Sequence, residues 1–94
     1  MKYFDWDELK NIKLQAEREV RFEDVLTAID EGKLHDDILH PNQKQYKGQR
    51  ILVVEINNYI FLVPYVEDQE KYFLKTIYAS RKFTIKYLSK GRKR

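Results

Sequence analysis

At Gly32 the apolar residues change period, and this switch divides the chain into helices first and strands after. Upstream, Phe22, Val25, Leu26 and Ile29 recur at helical spacing, Glu23 and Asp24 sit in the favourable first turn, and Gly32 stops the pattern. A first helix is predicted before it. Asp5 and Glu8 have capping-box spacing, and Trp6, Leu9, Ile12 and Ala16 form one apolar stripe running to about Glu17. Residues Met1 to Phe4 can add a short strand in front.

Downstream of Gly32 four β-rich runs follow: Lys33–Leu39, Arg50–Ile56, Tyr59–Val66 and Lys71–Ile77. Asn57-Asn58 separates the middle two by a two-residue break, and Asn tolerates the left-handed backbone of a tight hairpin. His40–Gln49, with Pro41, Asn42 and Gly48, is a longer loop. Ile51-Leu52-Val53-Val54 is apolar on both faces, which predicts a central strand covered by helices on at least one side. Pro64 cannot donate to a ladder, so a bulge or a free edge is expected there. The last element is a basic helix capped by Ser80 and ending near Gly91, with residues 91–94 as a frayed tail. Phe83, Thr84 and Tyr87 lie on one arc of it, and Lys82, Lys86 and Lys90 on another. The fold class is therefore α+β: two N-terminal helices, a four-stranded antiparallel meander and a C-terminal basic helix.

A chain of 94 residues is the size of one domain, and it has no repeat or linker. Aromatics at 14% supply the bulk that a disordered chain with 35% charged residues would lack. There is no cysteine, which excludes a disulfide scaffold and a thiolate zinc site. No stretch approaches a membrane span and no signal-like segment opens the chain, so a cytoplasmic protein is expected, with no membrane partner. The net charge of +3 hides an asymmetry. From Arg81 onward there are seven Lys or Arg and no acid, whereas residues 1–80 carry 11 bases against 15 acids. Such a distribution marks either a polyanion site or a solvated tail.

The junction of the fourth strand with the last helix gathers the strongest chemistry. Arg81 and Lys82 occupy a first turn where the helix dipole disfavours cations by roughly 0.3–1 kcal/mol. With the Ser80 hydroxyl and free amides they could hold a phosphate, joined by Lys75 and Arg50 if those share the open face of the sheet. By composition alone the same run reads as a wet surface. Of the two histidines, His40 stands before Pro41 in a loop compatible with acid–base work, and His35 lies in a strand with less to recommend it. Asp36-Asp37 reads as surface. Tyr65, Tyr72 and Tyr78 can stack nucleobases or pack across the sheet. No glycine-rich phosphate loop, nucleophile elbow or HExxH motif occurs.

Three segments taken in order resemble one family. They are Phe4-Asp5-Trp6-Asp7-Glu8 with Lys10, leading to Val20-Arg21-Phe22-Glu23-Asp24; the meander opened by Arg50; and Ala79-Ser80-Arg81-Lys82-Phe83-Thr84. Together they resemble the BrnT toxins of bacterial type II toxin–antitoxin modules, which are similar in fold to RelE-type ribonucleases. Departures are visible. Glu17-Arg18-Glu19 stands where the family commonly has Lys-His-Gly, so no role of that lysine or histidine is carried over. Ser and Ala are exchanged in the last segment, and Phe83 replaces a small residue.

The resemblance implies an endoribonuclease that needs no metal or cofactor, inhibits translation, and is held inactive by an antitoxin, often of ribbon-helix-helix type. Its substrate would be RNA, including ribosome-associated mRNA, with no direct DNA binding without the antitoxin. Arg50, Lys75 and Arg81 would then contact the phosphate and its transition state, with His40 as acid or base; Ser80, Lys82 and Lys86 would hold the RNA backbone. A non-catalytic RNA-binding or partner-binding module would use the same helix.

Overall fold

The computed structural model describes residues 2–89. In chain order they form β1 (Tyr3–Asp5), α1 (Glu8–Arg18), α2 (Phe22–Asp30), β2 (Leu34–Leu39), β3 (Arg50–Ile56), β4 (Tyr59–Glu67), β5 (Lys71–Leu74), β6 (Tyr78–Ala79) and α3 (Arg81–Thr84), which continues as a π-helical turn, Ile85–Ser89. The expected end of the last helix near Gly91, Lys90 on its arc, and the basic tail lie outside the described residues. Among the described residues no helix is long and apolar enough to cross a membrane.

The α+β architecture is the expected one, but the sheet is larger than the four-stranded antiparallel meander. Its order is β1-β5-β4-β3-β2, with β6 also pairing with β4. Strands β2 to β5 form the antiparallel meander. The short first strand exists and pairs in parallel with β5, Tyr3 opposite Lys71, which makes the sheet mixed. Local turn chemistry works as read. Asn57 and Asn58 both have positive φ, 54° and 63°, in the two-residue β3–β4 turn. Gly32 follows α2 with φ +78°, a backbone that L side chains rarely adopt.

Pro64 produces neither a bulge in its own strand nor a free edge. It is buried in central β4, in register with Ile51 of β3. Its carbonyl accepts from the Lys75 amide at 2.8 Å, so its missing N–H points to that same side. There the neighbouring strand breaks. The expected run Lys71–Ile77 ends at Leu74, and pairing resumes only at Tyr78. Across the gap, Ile77 buries its side chain completely, and its carbonyl accepts from the Arg18 guanidinium at 2.5 Å.

Two apolar layers follow from strand alternation. Leu52, Val54, Val63, Tyr65, Leu74 and Ile77 face α1 and α2, meeting Leu14, Val20, Phe22, Val25 and Ala28. Ile51, Val53, Ile60 and Leu62 face the other way, against Phe83, Tyr87 and Leu88. All four residues of Ile51–Val54 are buried, so the strand expected to be covered on at least one side is covered on both. Full burial of a side chain such as Phe22 or Val25 contributes about 1.5–3 kcal/mol.

The first helix does not bury the stripe its sequence suggested. Its cap is Asp7, whose carboxylate accepts from the Leu9 amide, because Tyr3–Asp5 is taken up by β1. Asn11 and Leu14 point inward, while Leu9 and Ile12 are 77% and 59% exposed. The inward amide has a task. Asn11 Oδ1 accepts from the Phe22 amide at 2.7 Å, and Nδ2 donates to Glu23 Oε1 at 2.9 Å, so α1 satisfies the open N-terminus of α2. The Asn11 bond is the main reason the Glu23 carboxyl lies below its usual range.

Candidate nucleic-acid interface

The last helix is fixed to the sheet by short-range polar chemistry. Ser80 caps α3, its hydroxyl oxygen accepting from the Phe83 amide at 3.1 Å. Thr84 adds a clamp that its sequence did not announce: its hydroxyl donates to the Ser80 carbonyl at 2.7 Å and accepts from the Ile60 amide at 2.8 Å. The Ser80 amide in turn donates to the Ile60 carbonyl. The helix starts over β4 and ends over β2, where the Tyr87 hydroxyl donates to Asp36 Oδ2 at 2.8 Å. Burial, and then that bond, raise the Tyr87 phenol above its usual range. The Asp37 amide, and then the Tyr87 hydroxyl, hold the Asp36 carboxyl below its usual range.

With its aromatic side docked, the helix presents Arg81, Lys82 and Lys86 outward, all exposed. Among the described residues none of the three has an ion-pair partner, and neither does Lys75. Lys86 lies over the rings of Phe83 and Tyr87, with Nζ 5.8 and 5.4 Å from their centroids.

A second group of side chains continues this surface along the sheet. Phe73 pairs with Val66 and Tyr78 with Leu62, both cross-strand neighbours on the face that carries α3. Lys71 and Lys75 flank the Phe73 ring at 5.8 and 5.6 Å. Lys71 is also bonded to Asp5 at 3.4 Å, which raises its ammonium above the usual range. Tyr78 is 36% exposed beside the start of α3. Lys75, Tyr78, Arg81 and Lys82 therefore follow one another along a single edge of one face, and no acidic residue occurs beyond Glu70. Unpaired cations interleaved with aromatic faces can hold a flexible polyanion that also has flat rings to stack.

Arg50 is not part of this surface, a correction to its expected place beside Lys75 and Arg81. It is in register with Tyr65, which lies in the layer under α1 and α2, so it points to the opposite face. There it is engaged: Nε reaches Asp37 Oδ1 at 3.1 Å, a second nitrogen reaches the Asp37 carbonyl at 3.0 Å, and the Tyr65 hydroxyl donates to both Asp37 carboxylate oxygens. The Asp37 hydrogen bond, followed by its charge, raises the guanidinium above its usual range. Asp37 is thus the centre of a polar clamp rather than idle surface. Tyr72 likewise faces the helices, packed on Phe4 at 5.2 Å and on Tyr65 at 5.9 Å, which leaves Tyr78 as the tyrosine of the three on the cationic face.

The two histidines exchange their apparent importance. His40 organises its own loop: Nδ1 accepts from the Asn42 amide at 3.1 Å and the ring lies on Tyr46 at 4.4 Å. A neutral ring accepting at Nδ1 carries its proton on Nε2 and has no spare lone pair. His35 is instead paired with Glu55 of the adjacent strand, Nε2 to Oε1 at 3.0 Å, with Tyr87 5.8 Å away. Comparison with known proteins returned no match, whether to a family model, a curated protein or a solved structure.

Proposed function

We propose that this chain is a RelE-like, BrnT-type toxin, an endoribonuclease that cuts RNA without a metal and is neutralised in the cytoplasm by a cognate antitoxin of ribbon-helix-helix type. The observation that carries the reading is the unpaired cationic edge, Lys75, Arg81 and Lys82, interleaved with Phe73 and Tyr78 and continued by Lys86. Single-stranded RNA offers what this surface lacks, a string of phosphates and exposed bases. Arg81 would stabilise the charge that builds on the phosphate during attack by the 2′-hydroxyl; Lys75, Lys82 and Lys86 would hold flanking phosphates. Ser80 acts by capping the helix that carries them. Arg50, on the other face, drops out of the set.

A second reading is a non-catalytic RNA-binding module. It is favoured by the engagement of Arg50 and His40, which leaves only Lys75 and Arg81 of the expected catalytic group on the cationic face. Induced expression separates the two. The toxin reading expects growth arrest with fragmented messages, relieved by Arg81→Ala with Lys82→Ala. Intact transcripts, both free and ribosome-bound, in the presence of tight RNA binding would leave only the binding module.

A further inference from the structure

We propose that His35, oriented by Glu55, is the proton acceptor for RNA cleavage; the assignment rests on the ribonuclease reading above. The pair is assembled by an irregularity in the sheet. Between Leu34 and Asp36 the β2–β3 register shifts, Leu34 pairing with Val54 and Asp36 with Val53, so His35 is the extra residue of a bulge. Such bulges re-aim a side chain, and here the ring swings to Glu55 on the face that carries α3. The π-helical turn closes the other side, with the Tyr87 ring beside His35 and its hydroxyl on Asp36. Lys86 of the same turn lies over the Tyr87 ring. The same turn thus supplies both a cation, Lys86, and the aromatic neighbour of the imidazole.

The chemistry follows from which nitrogen is occupied. A carboxylate only accepts, so Glu55 fixes the proton of a neutral His35 on Nε2 and leaves Nδ1 with its lone pair. Among the described residues no partner takes Nδ1. This is the reverse of His40, and it is the arrangement in which an acidic residue holds a base in its working tautomer. The side chains of His35 and Glu55 keep 29% and 18% exposure, enough for a substrate to reach the ring. Nδ1 accepts the proton of a 2′-hydroxyl, and the 2′-oxygen forms its bond to the adjacent phosphorus. The bond to the 5′-oxygen breaks, and that oxygen takes a proton from water; the hydroxide produced removes the proton from His35. The products are a 2′,3′-cyclic phosphate and a 5′-hydroxyl, with Glu55 stabilising the transient imidazolium.

The test uses the full chain and a fluorescently labelled single-stranded RNA under single-turnover conditions. His35→Ala should slow cleavage by about 10²–10⁴-fold while its RNA affinity stays within about twofold of the parent. Added imidazole should restore the rate to His35→Ala in proportion to its concentration, and should do nothing for Arg81→Ala. Glu55→Gln should lower the rate constant of the bound complex with little change in the RNA concentration at half-saturation. Wild-type rates in His35→Ala, or a loss that imidazole does not relieve, would overturn the assignment and leave the ribonuclease reading in place. If the parent chain cleaves neither free nor ribosome-bound RNA, both fall together.

Discussion

Asn11 of α1 accepts a hydrogen bond from the Phe22 amide and so serves as the N-terminal cap of a helix to which it does not belong. Among the described residues it is the one polar side chain buried in the core, and both ends of its amide are satisfied. Asn11→Ala leaves the Phe22 amide unpaired in a buried site, which costs about 1–3 kcal/mol. Urea unfolding should show that loss with an unchanged dependence on denaturant. Asn11→Leu should do no better, since the orphaned amide remains.

The hairpin turn offers a cleaner backbone experiment. Asn58 has φ 63° and is exposed, so its side chain does little besides tolerate the conformation. Asn58→Gly should hold or slightly raise stability, whereas Asn58→Val should lower it by about 1–2 kcal/mol, the cost of forcing a branched side chain into that region. Thermal unfolding of the two variants decides it.

Tyr65 makes stability fall in alkali. Burial, and then its bond to Asp37, push its phenol above the usual tyrosine value. Below about pH 10 both folded and unfolded chains keep the proton, and this residue adds no pH dependence. Above that value the unfolded chain ionises first, so stability is lost as pH rises toward the folded value. Comparing urea midpoints of the parent and Tyr65→Phe from pH 8 to 11 isolates the effect from that of the lysines. The variant should show the shallower decline.

Binding of RNA should be steeply salt-dependent because the cations of the surface are unpaired. On a single strand, each cation that neutralises a phosphate adds about 0.7 to the slope of log affinity against log salt. Arg81→Ala with Lys82→Ala should therefore flatten the slope by about twice that amount, whereas Arg50→Ala should leave it unchanged. Fluorescence anisotropy across a salt series reads both.

Much of this architecture could be read from short-range signals. The helical spacing around Phe22 and Val25, the Asn57-Asn58 turn and the Ser80 cap each act within a few residues, and each lies where its sequence placed it. The buried side of α1 could not be read that way, because what selects Asn11 over Leu9 is the unsatisfied amide of another helix. Pro64 was legible as a disturbance, but the break falls in the strand beside it, a consequence of which way its carbonyl points. Alternation does set Arg50 opposite to Ile51. Only packing shows that the last helix covers the Ile51 side. His35 and Glu55 are brought together by a register shift between two strands, for which a single sequence carries no local mark.

The parallel pairing of β1 with β5 also bears on how the protein is made. Lys71 grips Asp5, 66 positions earlier, so the first strand has nothing to pair with until β5 has left the ribosome. Helices α1 and α2 meet the same delay, since the strand residues that cover Phe22 and Val25 begin at Leu52 and end at Ile77. A nascent chain therefore carries an uncovered apolar helical pair until those strands have emerged. The cationic surface is assembled later still, when residues 81–89 settle onto a sheet already in place.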